Sequence, residues 1–251
     1  MNPASARGIP LDLIEALRGA ERVVALTGSG ISAESVVPTF REAQTGLWER
    51  YDPQQLATPE AFERDPRLVW EWYEWRRRLV TEAEPNPGHL ALAELERRVP
   101  NFTLVTQNVD GLHRRAGSRD AIELHGNILR ARCPAEEIVL GPDQTGAVLP
   151  LCPNCGGPLR PDVVWFGETL PSAALEAASE AARGCDLFLS IGTSSLIYPA
   201  AALPYEALEN GAIIVEVNPA ETSLTPHVDY ALRGGAAKVL PELLRKAFLP
   251  L

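Results

Sequence analysis

The run Val23-Val24-Ala25-Leu26, followed by Thr27-Gly28-Ser29-Gly30, constrains this chain more than any other stretch. Consecutive apolar residues without polar alternation are what a strand buried on both faces of a parallel sheet carries. The glycines turn the chain, and Ile31-Ser32-Ala33-Glu34 is compatible with a helix start. Strand, glycine turn and helix start make a phosphate cradle: bare backbone approaches a pyrophosphate closely, and free N–H groups point at it. Gly28, Gly30 and Ala33 fit the dinucleotide fingerprint G-x-G-x-x-G/A, a pattern that an ordinary tight turn also satisfies. A hydride-transfer unit of this type needs an acid at the end of a second strand about 20 residues on. Here that interval holds Val37-Pro38-Thr39-Phe40-Arg41 and Gly46-Leu47-Trp48. Pro38 and the missing apolar run argue against a strand there. The expectation is a dinucleotide site whose ribose clamp is replaced by a long, arginine-bearing loop, with the dinucleotide used otherwise than as a hydride carrier.

The strand–loop–helix unit recurs. Residues 102–106, 121–125, 187–191 and 213–217 read as strands, and residues 66–81, 89–99, 171–183, 199–209 and 239–248 as helices. Glu84-Pro85-Asn86-Pro87-Gly88 reads as a breaker, residues 35–60 as loop-rich and residues 126–163 as irregular. Such alternation means an α/β fold: a doubly wound, parallel, Rossmann-like sheet covered on both faces. The two interruptions predict a smaller lobe, made of a helical insertion and a zinc-knuckle-like insertion. Residues 1–34, 89–125 and 164–251 would then form the nucleotide-binding domain, and residues 35–88 and 126–163 the small domain. Ligands in such sheets lie beyond the carboxyl ends of the strands. The loops Gly28–Gly30, Gln107–Asp110, Gly192–Ser194 and Asn218 leave at that end and should converge on one crevice.

Composition excludes some classes. A formal charge of -10 disfavours nucleic acid and anionic membranes. No apolar run of about 18 residues is present, and the start reads as a short amphipathic helix without a basic-then-apolar leader. A cytoplasmic location is the expectation. Of four cysteines, Cys133, Cys152 and Cys155 sit close together, a spacing suited to a metal cluster more than to a disulfide framework.

Five motifs in order, Gly28 to Ser35, Pro38-Thr39-Phe40-Arg41, Gln107-Asn108-Val109-Asp110, His125-Gly126 and Gly192-Thr193-Ser194, resemble the signature set of the sirtuins, the NAD-dependent protein-lysine deacylases. The resemblance covers residues 20 to 245. It departs at Ser29, where alanine is usual, and at Val36, where glycine is usual. It implies NAD contacts from Gly28, Ser29, Gly30, Ile31, Ser32, Ala33 and Glu34, and from Pro38, Thr39, Phe40, Arg41 and Trp48. Gln107, Asn108, Val109, Asp110, Gly192, Thr193, Ser194, Asn218 and Ala236 complete that set. Asn108 and His125 are implied as catalytic, His125 as the general base, a role that an imidazole titrating near neutrality fits. Asn108 and Asp110 also suit helix capping, and Arg41 a loop salt bridge. Val163, Val164, Trp165, Phe166 and Gly167 resemble the segment that pairs with substrate backbone. The implied partner is an acylated-lysine protein, the implied products are nicotinamide and 2′-O-acyl-ADP-ribose, and a monomer is expected.

Two further features refine this. Tyr73 and Arg76, three apart on a helix, share one face, and hydroxyl plus guanidinium make a carboxylate receptor. Their helix is similar to that of the sirtuin branch preferring succinyl, malonyl and glutaryl groups. Cys152-Pro153-Asn154-Cys155 followed by glycines is a metal knuckle. The family has a second cysteine pair; here only Cys133 remains, and Glu136 stands where the fourth thiolate would be. Three sulfurs and one oxygen suit structural zinc, and a metal-free packed loop is the alternative. Protein ADP-ribosylation and a non-catalytic NAD-binding or zinc scaffold stay open as competing functions.

Overall fold

The computed structural model describes residues 8–37, 52–136, 138–141 and 149–248. Pro38, Thr39, Phe40, Arg41 and Trp48 lie outside the described residues.

Six strands form one sheet: β1 (Arg22–Thr27), β2 (Asn101–Thr106), β3 (Ala121–Glu123), β7 (Leu187–Ile191), β8 (Ile213–Val217) and β9 (Tyr230–Leu232). Their order is β3-β2-β1-β7-β8-β9 and every pairing is parallel. The order reverses between β1 and β7, the switch point where such sheets bind ligands. Successive residues of a strand face opposite layers. Val23, Ala25, Leu187 and Leu189 pack with α1 (Leu11–Gly19), α5 (Pro87–Arg98) and α9 (Ala236–Phe248). Val24, Leu26, Phe188 and Ile214 pack on the other face with α7 (Ser172–Gly184) and α8 (Leu203–Glu209). Burial on both faces explains why these strands read as unbroken apolar runs.

Register aligns the strand ends. Thr27 pairs with both Thr106 and Ile191, and Ile191 pairs with Val217. Each departing loop donates one step back into the sheet: Gln107 N–H to Thr27 O, Gly28 N–H to Ile191 O, Gly192 N–H to Val217 O and Asn218 N–H to Leu232 O, at 3.0, 3.0, 2.9 and 3.2 Å. The four loops therefore leave the sheet at one level, as the sequence pattern predicts.

Several expectations need correction. Residues 31–34 do not begin an α-helix; Ser29–Ile31 and Ala33–Ser35 are two 3-10 turns. Residues 126–163 are not irregular throughout: β4 (Gly126–Arg132), β5 (Val139–Leu140) and β6 (Arg160–Val163) form an antiparallel sheet in the order β5-β4-β6. Short strands interrupted by polar residues gave too little alternation to be read. The stretch 35–60 contains α2 (Pro53–Leu56) and the start of α3 (Pro59–Arg64). Asn86-Pro87-Gly88 is less a breaker than a cap: Asn86 Oδ1 accepts from Gly88 N–H, and Pro87 opens α5. The helix expected over 199–209 begins as a 3-10 turn, Ala200–Ala202, before α8.

Helix α4 (Pro66–Glu82) starts at Asp65, whose side chain accepts from Leu68 N–H at 3.0 Å. It packs Trp72, Tyr73 and Val80 against Ile128, Val163 and Trp165, and Trp70 against Cys133, Cys152 and Leu159. One helix thus serves both halves of the smaller core.

The loops after β1 and β7 meet backbone to backbone. A Cβ at Gly192 (φ +59) would stand 2.5 Å from Ile31 N, and one at Gly30 would stand 2.7 Å from Gly192 Cα. Replacing Gly192 with alanine is expected to cost about 2 kcal/mol or more. Gly19→Ala, with open space around it at the end of a helix, is expected to be neutral or stabilising by about 0.5 kcal/mol. Urea unfolding of both variants checks the contrast; equal effects would contradict the interlock.

Candidate active site

The β1 and β7 loops meet at the sheet's carboxyl end. Gly30 N–H donates to Gly192 O at 2.8 Å, so the glycines of the fingerprint first of all let two loops interlock. Thr193 is fixed by Gln107 Nε2–H on its hydroxyl at 3.2 Å and by Asn218 Nδ2–H on its carbonyl at 2.9 Å. Ser194 is exposed beside them. Ser195 is buried and its hydroxyl has no partner among the described residues. Glu34 is turned elsewhere: its carboxylate accepts from Ala237 N–H at 2.9 Å in the first turn of α9. Ala236 is buried in that same turn, against Gly88. Glu34 thus ties α9 to the β1 loop, and Ala236 packs the same turn on the start of α5.

A buried polar network is centred on Ser32. Its Oγ accepts from Asn108 Nδ2–H at 3.1 Å, contacts His89 Nε2 at 3.3 Å and donates to Asp110 Oδ2 at 2.7 Å. His89 Nδ1 accepts from Asn86 N–H, which leaves the proton on Nε2 and makes it a donor to Ser32. The hydroxyl is then saturated. Asp110 also accepts from Leu112 N–H at 2.9 Å, so it satisfies the first N–H of the short helix α6 (Leu112–Arg115) and joins the network at once. Burial holds its pKa above the ordinary carboxylate value, against the Leu112 and Ser32 hydrogen bonds. Asn86 Nδ2–H donates to Ile31 O and Ser35 Oγ at 2.7 and 3.0 Å, pinning the turn that carries Ser32. Val36, closing that turn, sits in the left-handed region at φ 59 and ψ 25.

Sequence reasoning missed Asn86, His89 and His113. The signal for the first two was the Asn-Pro-Gly-His cap itself. His113 contacts Thr27 Oγ1 through Nε2 at 2.9 Å and packs edge-on against His89 at 4.9 Å. Behind the Asn108–Asp110 loop, a cavity of about 310 Å³ borders His113, Ser118 and the β3 edge.

His125 lies where the two sheets join. Its carbonyl accepts from Val164 N–H at 3.0 Å, and Gly126 is obligatory because a Cβ there would stand 2.1 Å from Asp162 O. Nδ1 lies 2.9 Å from Gln107 O. A carbonyl only accepts, so Nδ1 carries the proton and Nε2 keeps its lone pair. Burial lowers the imidazole's pKa, against the Gln107 contact.

The segment Val163–Gly167 and helix α4 come together. Trp165 Nε1–H donates to Tyr73 Oη at 2.9 Å. The Arg76 guanidinium lies 5.0 Å from the Trp72 ring centroid and 5.9 Å from that of Tyr73. Burial pushes the Tyr73 phenol up to about 12. Arg76 is lowered by desolvation, with Tyr73 opposing. Phe166 is half-exposed and its N–H donates to Ala57 O; Gly167 takes φ +86.

The ligand atoms of Cys133, Cys152 and Cys155 lie within 4.8 Å of one another, with Cys133 and Cys155 sulfurs 3.6 Å apart. Sulfurs round one zinc ion sit about 3.8 Å apart, from Zn–S bonds of about 2.3 Å, so three thiols here fit that ion. Glu136 is not in the cluster: its carboxylate accepts from Asn154 Nδ2–H at 2.8 Å. The expected fourth ligand is therefore not in place. No helix among the described residues is long and apolar enough to cross a membrane.

The sequence matches the Sir2 family model over residues 28–199. It is 53% identical over 243 residues to a Methylococcus capsulatus protein named "NAD-dependent protein deacylase", covering 93% of this chain and 95% of that one. Its structure is similar to that of a Sir2 homolog–NAD complex, with a TM-score of 0.91, 46% identity and 96% of each chain covered. A structure described as Sir2 bound to acetylated peptide gives a TM-score of 0.85 at 28% identity, covering 96% of this chain and 99% of that one.

The buried histidines make stability pH-dependent. Burial lowers His89 to about 4 and His113 to about 3 from an ordinary 6.5. With folded values below unfolded ones, stability is complete above pH 6.5 and is lost as pH falls toward 4. By pH 5 each histidine is expected to remove about 2 kcal/mol. Urea titrations at pH 7.5 and 5 check this, and His113→Gln is expected to shrink the difference by about that amount.

Proposed function

This chain belongs to the Sir2 family, the sirtuins, and from that premise we propose that it uses NAD to remove acyl groups from protein lysines, preferring succinyl and malonyl, with glutaryl, over acetyl. One observation carries the preference: Tyr73 and Arg76 lie on one face of α4, the Arg76 guanidinium 5.9 Å from the Tyr73 ring and Tyr73 itself bonded to Trp165 of the substrate-pairing segment. A neutral phenol and a guanidinium together match a carboxylate at an acyl chain's end.

The residues present suit NAD. Polar loops meet at the sheet's switch point, and the buried Ser195 hydroxyl there has no partner among the described residues. Bound NAD supplies the activated sugar carbon and nicotinamide as leaving group. Gly28, Ser29, Gly30, Gly192, Thr193, Ser194 and Asn218 serve its phosphate and adenosine side. Asn108, held by Ser32, and Asp110 present fixed polar groups to the carboxamide and ribose, and no reorientation is needed because Ser32 is already saturated. His125 Nε2 takes a proton from a ribose hydroxyl; Nδ1, occupied by Gln107, fixes the tautomer in which it can do so. Val163 to Gly167 align the peptide as an added strand, which reads backbone and tolerates many sequences.

The same reading divides the chain at the boundaries given above, residues 35–88 and 126–163 forming the small domain. It makes the protein a cytoplasmic monomer without a nucleic-acid partner, in line with its charge of -10. Cys133, Cys152 and Cys155 would hold structural zinc, the fourth position being completed from outside the three thiols.

Four measurements test this. Peptides carrying acetyl-, malonyl-, succinyl- and glutaryl-lysine, incubated with NAD, are expected to release nicotinamide fastest for succinyl and malonyl. Arg76→Met is expected to lower the succinyl-to-acetyl ratio of kcat/KM about tenfold, and an unchanged ratio would remove the pocket assignment. His125→Ala is expected to fold normally and lose about 10²-fold or more in turnover. For the metal, elemental analysis is expected to find one zinc per chain, and Cys152→Ser to lose it and lower Tm; a metal-free wild type would contradict the site.

A further inference from the structure

The acyl pocket's hydrogen-bond accounting assigns a role to a side chain beyond Tyr73 and Arg76. A phenol has one proton to give and an oxygen that accepts. Tyr73 Oη already accepts, from Trp165 Nε1–H at 2.9 Å. An indole N–H can only donate, so the direction of this bond is fixed by chemistry. The Tyr73 hydroxyl proton must then point elsewhere, and among the described residues nothing accepts it. Tyr73 and Trp165 are 1% and 3% exposed, so bulk water does not compete for the bond between them.

We propose that Trp165 is a specificity-determining positioning residue: by occupying the acceptor side of the Tyr73 oxygen, its indole N–H turns the tyrosine proton toward the carboxylate of an acidic acyl group. This rests on the reading that Tyr73 and Arg76 receive such a group. With Trp165 in place, the phenol meets the acyl tail as a donor. Without it, the hydroxyl rotates freely, and one orientation offers lone pairs to a carboxylate, which repel it. A donor on the phenol oxygen also polarises its O–H, strengthening the bond it gives.

The indole itself is held rigidly. The Arg160 guanidinium carbon lies 3.3 Å from the Trp165 ring centroid, and Phe62 packs on the ring at 5.4 Å. Glu168 grips Arg160 with both oxygens, at 2.5 and 2.8 Å, and accepts from Trp165 N–H at 2.7 Å. Arg160 also donates to Val163 O at 2.8 Å. A buried ion pair thus clamps the ring plane and both sides of the substrate segment together. A bicyclic aromatic ring of the same shape without an N–H would fill this space as well, so packing alone does not require the indole nitrogen here.

The test is the succinyl-to-acetyl ratio of kcat/KM in wild type, Trp165→Phe, Tyr73→Phe and the double variant, with kcat and KM separated. A wild-type preference for succinyl, a fivefold to tenfold lower ratio in Trp165→Phe carried by succinyl KM, and no further fall when Trp165→Phe is added to Tyr73→Phe would support the proposal. A preserved ratio in Trp165→Phe, or an equal further fall in the Tyr73→Phe background, would overturn it while leaving the acidic-acyl reading intact. A wild type without acidic preference would overturn that reading and this inference with it. Should Trp165→Phe not fold, the same decision is read from the protein carrying 3-benzothienylalanine at position 165, which exchanges only the indole N–H for sulfur.

Discussion

Backbone pressed against backbone at Gly28, Gly30 and Gly192 is the contact on which the rest of the site depends. It holds the β1 loop on the β7 loop at the point where the sheet reverses direction. From it follows the position of Ile31, hence of the turn bearing Ser32, hence of Asn108 and Asp110. A fingerprint glycine is usually explained by the ligand it admits. Here the β7 loop, through Gly192 and Thr193, already occupies the Cβ positions of Gly28 and Gly30. The requirement exists before any nucleotide arrives, so the loop is built by folding, not by binding.

The polar interior repeats this economy. Ser32 Oγ collects Asn108, His89 and Asp110 at one atom, and a buried hydroxyl with all its donor and acceptor sites used is held rigidly where a partly used one is costly. His89 and His113 must stay neutral to live there, which gives the core its acid sensitivity. Arg160 and Glu168 follow another rule: both stay charged, and hydrogen bonds to Val163 and Trp165 offset their desolvation. One device fixes the reacting end of the site and the other the segment opposite it.

Much of this was legible in the sequence because parallel strands buried on both faces are apolar runs, and because loops at their carboxyl ends carry glycine, asparagine and threonine. The strand cores, the convergence of four loops and the cysteine cluster all followed from such signals. What failed had a shared cause. Short antiparallel strands such as Arg160–Val163 contain arginine, proline and aspartate, and are stabilised by pairing that local pattern does not encode. The bond from Glu34 to Ala237, 203 positions away, was likewise out of reach of local pattern. His89 was hidden inside a helix cap that looked like a breaker. Glu136 stood at the right spacing for a metal but had a nearer partner in Asn154.

Val36 closes the Ser32 turn with a β-branched side chain in left-handed backbone, at φ 59, a conformation that costs such a residue about 1–2 kcal/mol. Position 36 thus carries backbone strain. A ligand that selects a backbone in which this residue returns to ordinary dihedrals gains the stored energy on top of its own contacts; one that selects the present backbone gains none. A glycine there would make both ligands equal in this respect, so the valine biases which shape of the turn a bound molecule stabilises.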